Sequence, residues 1–259
     1  MTYYDQHVHT YFSFDSDAQF EDYLAQTKQP LVTTDHLEFG NPDDDQRDDK
    51  PDYQAYKNRV DALAAQYPQA ILRGVEVGYN PDRVAAIRAY LAAGDYDLTL
   101  LSFHHNGQFD YQDEHFLKQD KKTVVQNYYR NMLAGLRDFH EADVLAHFDY
   151  GLRILDVTPD ELAAWVGPEL RTIFDIAVQY GLAFELNTKS MYRWQDLPLY
   201  EYAIPLYLAA GGTRFTIGSD AHTSDAFQNH FDDAKALLKR NQVTALTVYR
   251  KHEASSVTF

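Results

Sequence analysis

Tyr3-Tyr4-Asp5-Gln6-His7-Val8-His9 reads as a β-strand that ends in two histidines. The strand period of two puts His7 and His9 on one face and Val8 on the other, so two imidazoles point the same way, one pleat apart. Neutral imidazole suits zinc, iron or nickel, and Asp15 follows closely enough to add an oxygen ligand. The pair is read as part of a metal site at the end of the first strand.

Working outward, six further β-rich runs occupy residues 31–35, 70–77, 96–104, 143–147, 182–187 and 213–220. Helical patterns alternate with them at 18–28, 52–66, 81–93, 121–140, 159–180, 199–210 and 224–240. Asn80-Pro81 and Thr158-Pro159 read as N-caps followed by proline, and Gly94, Gly181 and Gly211 as stops. Pro205 is expected to kink or break the sixth helix. Val125, Tyr129, Met132, Leu136 and Phe139 share one helical stripe, which is core packing. Alternation of this kind predicts parallel strands joined by right-handed crossovers. No Gly-x-Gly-x-x-Gly follows the first strand, so the expectation is an α/β barrel rather than a dinucleotide-binding sheet. No linker divides the chain, and residues 1–259 are expected to form a single domain.

Composition narrows the chemistry. The chain has no cysteine, which removes disulfides, thiolate metal sites and cysteine nucleophiles, and leaves nitrogen and oxygen as metal donors. A net charge of −16, with no basic run longer than Lys121-Lys122 or Lys239-Arg240, argues against nucleic acid as partner. No apolar run approaches the ~18 residues of a membrane span, and no signal region precedes Tyr3, so a cytoplasmic protein acting on small molecules is expected.

Position within the repeats singles out the site. His7 and His9 end the first strand, Asp35-His36 the second, Glu76 lies near the end of the third, His104 ends the fourth, His147 the fifth, and Asp220 with His222 the seventh. That end of the strands is where barrel enzymes build their active sites. Taken singly, each has an ordinary explanation: a hydrogen-bonded histidine, a buried ion-pair partner for Glu76, a helix cap for Asp220. Their recurrence at one face outweighs these. His115, His140, His230 and His252 lie away from strand ends and read as surface residues, and His105 is ambiguous, because a strand residue next to His104 should point away from the mouth.

The set Asp5-Gln6-His7-Val8-His9-Thr10, Ser13-Phe14-Asp15-Ser16, Thr34-Asp35-His36, Gly74-Val75-Glu76, Ser102-Phe103-His104, Ala146-His147-Phe148-Asp149 and Gly218-Ser219-Asp220-Ala221-His222 resembles the polymerase-and-histidinol-phosphatase (PHP) superfamily. The resemblance implies a distorted, TIM-like (β/α)7 barrel with two to three divalent ions, zinc, manganese or iron. It implies that His7, His9, Glu76 and Asp220 hold one ion, Glu76, His104 and His147 a second, and Asp15, His36 and His222 a third, with Asp35 orienting a ligand imidazole from behind. The segments His147-Phe148-Asp149 to Arg153 and Glu185-Leu186-Asn187-Thr188 to Arg193 further resemble the histidinol-phosphate phosphatases of histidine biosynthesis. This implies hydrolysis of L-histidinol phosphate, with Arg153 and Arg193 as bidentate phosphate clamps.

Elementary chemistry agrees with the resemblance. Divalent ions at a barrel mouth supply a bridging hydroxide as nucleophile, polarise the phosphoryl oxygens and stabilise the leaving alkoxide. Three such ions outweigh the ionised Asp15, Glu76 and Asp220, so a small phosphomonoester dianion can bind inside an acidic protein. Asp220, or His222 if no metal occupies it, is the expected proton shuttle. A tyrosine phosphatase or phosphodiesterase of the same superfamily is the main alternative. Amide hydrolysis on a related barrel is disfavoured because no lysine ends the fourth strand, and a non-catalytic scaffold because every ligand position carries a competent residue. The acidic segment 43–49 is expected to be a solvated loop, or more sharply a lid that recognises a cationic amine.

Overall fold

The computed structural model describes residues 2–259 and contains, in chain order, α1 (Phe20–Leu24), β1 (Leu31–Thr33), β2 (His36–Asn41), β3 (Arg47–Asp49), α2 (Tyr53–Ala64), β4 (Ile71–Gly78), α3 (Val84–Ala93), β5 (Leu98–Ser102), α4 (Lys121–Asp138), β6 (Val144–Leu145), α5 (Pro159–Tyr180), β7 (Ala183–Asn187), α6 (Leu197–Ala209), β8 (Phe215–Gly218), α7 (Phe231–Arg240), β9 (Ala245–Arg250) and β10 (Glu253–Thr258). β4 is buried along nearly its whole length and organises the sheet. β1 pairs with its first half and β2 with its second, and β5, β6, β7 and β8 follow in parallel.

The two ends of this sheet meet at the N-terminal segment. Thr34 N donates to Val8 O at 2.7 Å on one side, while His9 N donates to Ala221 O and Asp220 N to His7 O, both at 2.8 Å, on the other. The expected strand at residues 3–9 is therefore extended chain with a single bridge, Val8 to Ala221. The reason is local: the His7 and Val8 N–H groups are taken by side chains, Asp5 Oδ1 and Thr34 Oγ1, so no ladder can form. This is the distorted (β/α)7 arrangement, with the sheet left open at one seam that individual hydrogen bonds bridge.

Helix signals held where the local chemistry was complete. α5 starts at a full capping box, Thr158 with Glu161, and stops at Gly181 with φ +77. Asn80 instead makes a turn, accepting from Asp82 N, and α3 starts only at Val84. Pro205 does not break α6, because it lies on the exposed face, where the carbonyl it leaves unpaired meets water. Two hairpins were not expected. β2–β3 hides in the acidic run, where Arg47-Asp48-Asp49 carries no apolar alternation, and β9–β10 ends in an almost wholly exposed strand. No helix among the described residues is long and apolar enough to cross a membrane.

The β9–β10 hairpin is tied to the seam by two buried side chains, Tyr4, whose hydroxyl donates to Tyr249 O at 3.2 Å, and Gln6. Gln6 Nε2 donates to Thr247 O at 2.6 Å, and Gln6 Oε1 accepts from Tyr249 N at 3.1 Å. Gln6→Leu leaves both backbone groups without a partner, and the expected loss is roughly 2 kcal/mol or more. Urea unfolding checks this; a loss within error of zero would mean that the hairpin does not hold the seam.

Candidate metal centre

Glu76, fully buried on β4, stands at the centre of the histidines. Its Oε1 lies 2.7 Å from His147 Nε2 and 3.2 Å from His104 Nε2. Its Oε2 lies 3.0 Å from His36 Nδ1, 3.3 Å from His7 Nε2 and 3.5 Å from His9 Nε2. Burial opposes its charge, yet His7, His104 and His36 together hold the carboxyl well below its ordinary pKa. The two oxygens of one carboxylate thus serve two groups of imidazoles.

What the rings present to one another follows from what lies behind them. His7 Nδ1 donates to Glu185 Oε1 at 2.7 Å. His9 Nδ1 donates to Ser13 Oγ at 3.0 Å, because the Ser13 hydroxyl proton goes to Asp35. His104 Nδ1 donates to Glu38. With these N–H groups committed, each of the three rings turns its Nε2 inward, where a bound cation would take the lone pair. His7 Nε2 and His9 Nε2 then face each other at 3.1 Å, and His104 Nε2 faces His147 Nε2 at 3.4 Å. Two unprotonated nitrogens at 3.1 Å repel unless a cation lies between them; His147 has no partner on Nδ1, and its Nε2 can donate to Glu76 Oε1 at 2.7 Å. Glu76 Oε2 and His36 Nδ1 are likewise buried without a hydrogen bond. This donor set fits divalent ions. Four groups could each hold one: His9, His36 and His222; His7, His9 and Glu76; His7, His147 and Asp220; and His36, Glu76 and His104.

The outer end of the cluster is more open. Asp15 Oδ2 lies 2.9 Å from His222 Nε2 and 3.6 Å from His36 Nε2, and Asp15 itself is exposed. Asp220 has φ +52, a strained conformation for a non-glycine residue. Its Oδ2 accepts from Arg153 and its Oδ1 from Lys189, both at 3.1 Å. Burial would raise Asp220, but Lys189, His7 and Arg153 hold it well below the usual carboxylate range. Arg153 is 5% exposed, donates to Ser190 Oγ at 2.9 Å and lies over the Tyr150 ring.

All nine residues expected as ligands converge here, and Glu76, Asp15, His36, His104, His147, Asp220 and His222 line one cavity of about 340 Å³ together with Arg153. Arg193 does not join them: it is exposed beside Trp194 and lines a neighbouring cavity, because the turn Lys189–Arg193 is a wide π-type one that brings Lys189 to the site instead. Asp35 touches no imidazole directly and acts on His9 through Ser13. His105, ambiguous in the sequence, is buried in the same cavity wall as His104. The strand has ended at Ser102, so strict alternation no longer applies. Glu185, Glu38 and Lys189 were not anticipated; Glu38 and Glu185 could have been found as acids inside otherwise apolar strands.

Behind Arg153, Asp149 and Asp196 form a buried carboxyl pair, with Tyr200 donating to Asp149 Oδ1 at 2.7 Å. Burial, and then the neighbouring Asp149, push Asp196 up to about 9. Asp196 therefore keeps its proton in the fold, whereas an unfolded chain releases it near about pH 4. The native state binds more protons between those values, so this group lowers stability as pH rises from about 4 to 9. Asp196→Asn removes the titration and is expected to raise Tm at pH 8 while leaving pH 4 nearly unchanged. Equal shifts in thermal melts at the two pH values would contradict the assignment.

A family profile described as PHP domain matches residues 5–189, and the chain belongs to that family. A probable histidinol-phosphatase of Clostridium acetobutylicum is 27% identical over 248 residues, covering 89% of this chain and 91% of that one. A protein of the same name from Thermotoga maritima is 22% identical, covering 94% of each. The crystal structure of histidinol phosphate phosphatase from Lactococcus lactis subsp. lactis, complexed with zinc, L-histidinol and phosphate, superposes with a TM-score of 0.86 at 20% identity, covering 97% of this chain and 98% of that one. It shares the fold.

Proposed function

We propose that residues 1–259 act as one metal-dependent phosphomonoesterase domain that hydrolyses L-histidinol phosphate to L-histidinol and phosphate. The observation that carries the hydrolytic reading is the set of buried, inward-facing imidazole lone pairs around Glu76, whose outer protons are committed to Glu185, Ser13 and Glu38. Membership of the PHP family and the names of the full-length relatives support the choice of substrate.

His7, His9, Glu76 and Asp220 would hold one ion, Glu76, His104 and His147 a second, and Asp15, His36 and His222 a third. Zinc, manganese or iron at these positions supplies positive charge for the phosphoryl oxygens and acidifies the attacking water. Glu185, Glu38 and the Ser13–Asp35 pair keep the ligand rings in the right tautomer and orientation. Arg153, fixed by Ser190 and Asp220, presents its guanidinium to the phosphoryl group, and Lys189 adds a second positive charge beside it. Asp220, or His222 where no ion occupies its ring, would carry the proton to the leaving alkoxide; His222 Nδ1 and Asp220 Oδ1 stand 3.4 Å apart.

Purified protein assayed with Mn or Zn is expected to cleave L-histidinol phosphate about 100-fold faster, in kcat/KM, than an aryl phosphate, a phosphotyrosine peptide or a dinucleotide, a discrimination of about 2.7 kcal/mol. Similar slow rates on all four would remove the substrate assignment and keep the phosphoesterase. Glu76→Ala is expected to lower kcat by roughly three orders of magnitude. Elemental analysis should show the bound metal falling with it, and an active variant with its full metal complement would refute the central role of Glu76.

A further inference from the structure

Arg153 stands between two cavities. It lines the one at the metal centre and also a second of about 500 Å³, together with Asp156, Trp194, Gln195 and Asp196. Its guanidinium is tied at two of its three nitrogens. Nε donates to Ser190 Oγ at 2.9 Å, and Nη2 to Asp220 Oδ2 at 3.1 Å and Asn187 Oδ1 at 3.4 Å. Nη1 has no hydrogen-bond partner among the described residues, which leaves it for a ligand. Burial opposes the charge on Arg153, and Asp220 and then Asp149 favour it.

A closed circuit of hydrogen bonds runs behind this side chain. Asp149 begins the short turn that leads through Tyr150 to Arg153, and its Oδ1 accepts from the Tyr200 hydroxyl at 2.7 Å. Asp149 Oδ2 and Asp196 Oδ2 are buried and accept from no N–H or hydroxyl, and the two side chains bond to each other. A hydrogen bond between two carboxyl groups needs a proton, and Asp196 carries it. The Asp196 N–H in turn donates to Ser190 O at 3.1 Å, and Ser190 Oγ receives Arg153. The path therefore leaves Arg153 through Ser190 and Asp196 and returns through Asp149 to the segment that bears Arg153. Asp196 and Tyr200, four residues apart at the start of α6, bring both donors to the one carboxylate.

We propose that Asp196 is a positioning residue for Arg153: the carboxyl proton it gives to Asp149 closes this circuit and keeps the guanidinium turned to the cavity of the metal centre. Opened at that link, the turn that carries Ser190 and the segment that carries Arg153 are free to part. The second cavity then offers the guanidinium room, with Asp156 in its lining to attract it. Asp196 itself touches no substrate. The inference rests on the phosphomonoesterase reading above, in which Arg153 meets the phosphoryl group.

The test sets Asp196→Ala, Asp196→Asn and Tyr200→Phe against wild type, all metal-loaded. It reads kcat and KM for L-histidinol phosphate, Ki for inorganic phosphate, bound metal and melting curves. Asparagine keeps an N–H donor toward Asp149, whereas alanine breaks the link. Asp196→Ala is expected to lower kcat/KM and raise the Ki of phosphate, each by roughly tenfold or more at unchanged metal content, with Asp196→Asn within about threefold of wild type on both. A loss confined to kcat that follows the melting temperature, with Ki unchanged, is a merely structural effect and overturns the proposal. So does an asparagine variant no better than the alanine one. If Asp196→Ala does not fold, Tyr200→Phe decides, because it removes the other donor and keeps the ring packed on Phe148 and Phe184. A rise in its Ki for phosphate supports the circuit, and no change overturns it. If L-histidinol phosphate is not cleaved, the substrate reading fails by itself, and calorimetry with inorganic phosphate carries the same comparison: affinity lost in the alanine variant and kept in the asparagine one supports the link, and equal affinities or no binding to wild type overturn it.

Discussion

The packing of five imidazole rings around the one buried carboxylate of Glu76 is the constraint on which the mouth of this barrel depends. Bound cations would complete such a cluster, and it keeps its shape because His7, His9 and His104 are held from behind. Glu185 holds His7 and also accepts the His147 N–H at 2.8 Å, so one carboxylate sets a ring and a strand end together. Glu38 does the same work for His104, and Ser13 joins His9 to Asp35 while accepting from His36 N at 3.0 Å. The metal-type residues are the inner layer of a two-layer polar network, and the outer layer is what gives the inner one its shape.

Electrostatics explain why so acidic a chain can serve a dianionic substrate. The net charge of −16 is spread over the surface, whereas the cavity gathers histidines, Arg153 and Lys189 around carboxylates that bound ions would neutralise. The net charge is a property of the whole chain; the local field near Asp220 bears on what enters the site.

The alternation of strands and helices and most of the inner ring of metal-type residues were legible in the sequence, because hydrophobic period and residue type report on which end of a strand a side chain occupies. Glu76 lies near the end of β4, and His104, His147 and Asp220 follow the ends of β5, β6 and β8, as that logic placed them, whereas His36 opens β2 instead of ending a strand and His7 and His9 lie on extended chain. What lay beyond it was whatever depends on chain leaving regular structure. His105 turns inward after β5 has ended; the wide turn at Lys189–Arg193 exchanges Arg193 for Lys189; and the segment at residues 3–9 gives its N–H groups to Asp5 and Thr34 instead of to a neighbouring strand. In each case a side-chain hydrogen bond or a turn type, invisible to periodicity, decided the outcome.

The bridging of the seam also sets a schedule for assembly. His7 and His9 leave the ribosome early, yet the groups that position them, Glu185, Ala221 and the Thr247–Tyr249 edge gripped by Gln6, follow some 180 to 240 residues later. Contacts so distant in sequence are made late and slowly. Through most of synthesis the two histidines therefore lie in an unfinished pocket. The pocket closes only when the late strands dock, and the histidines then lose their freedom together.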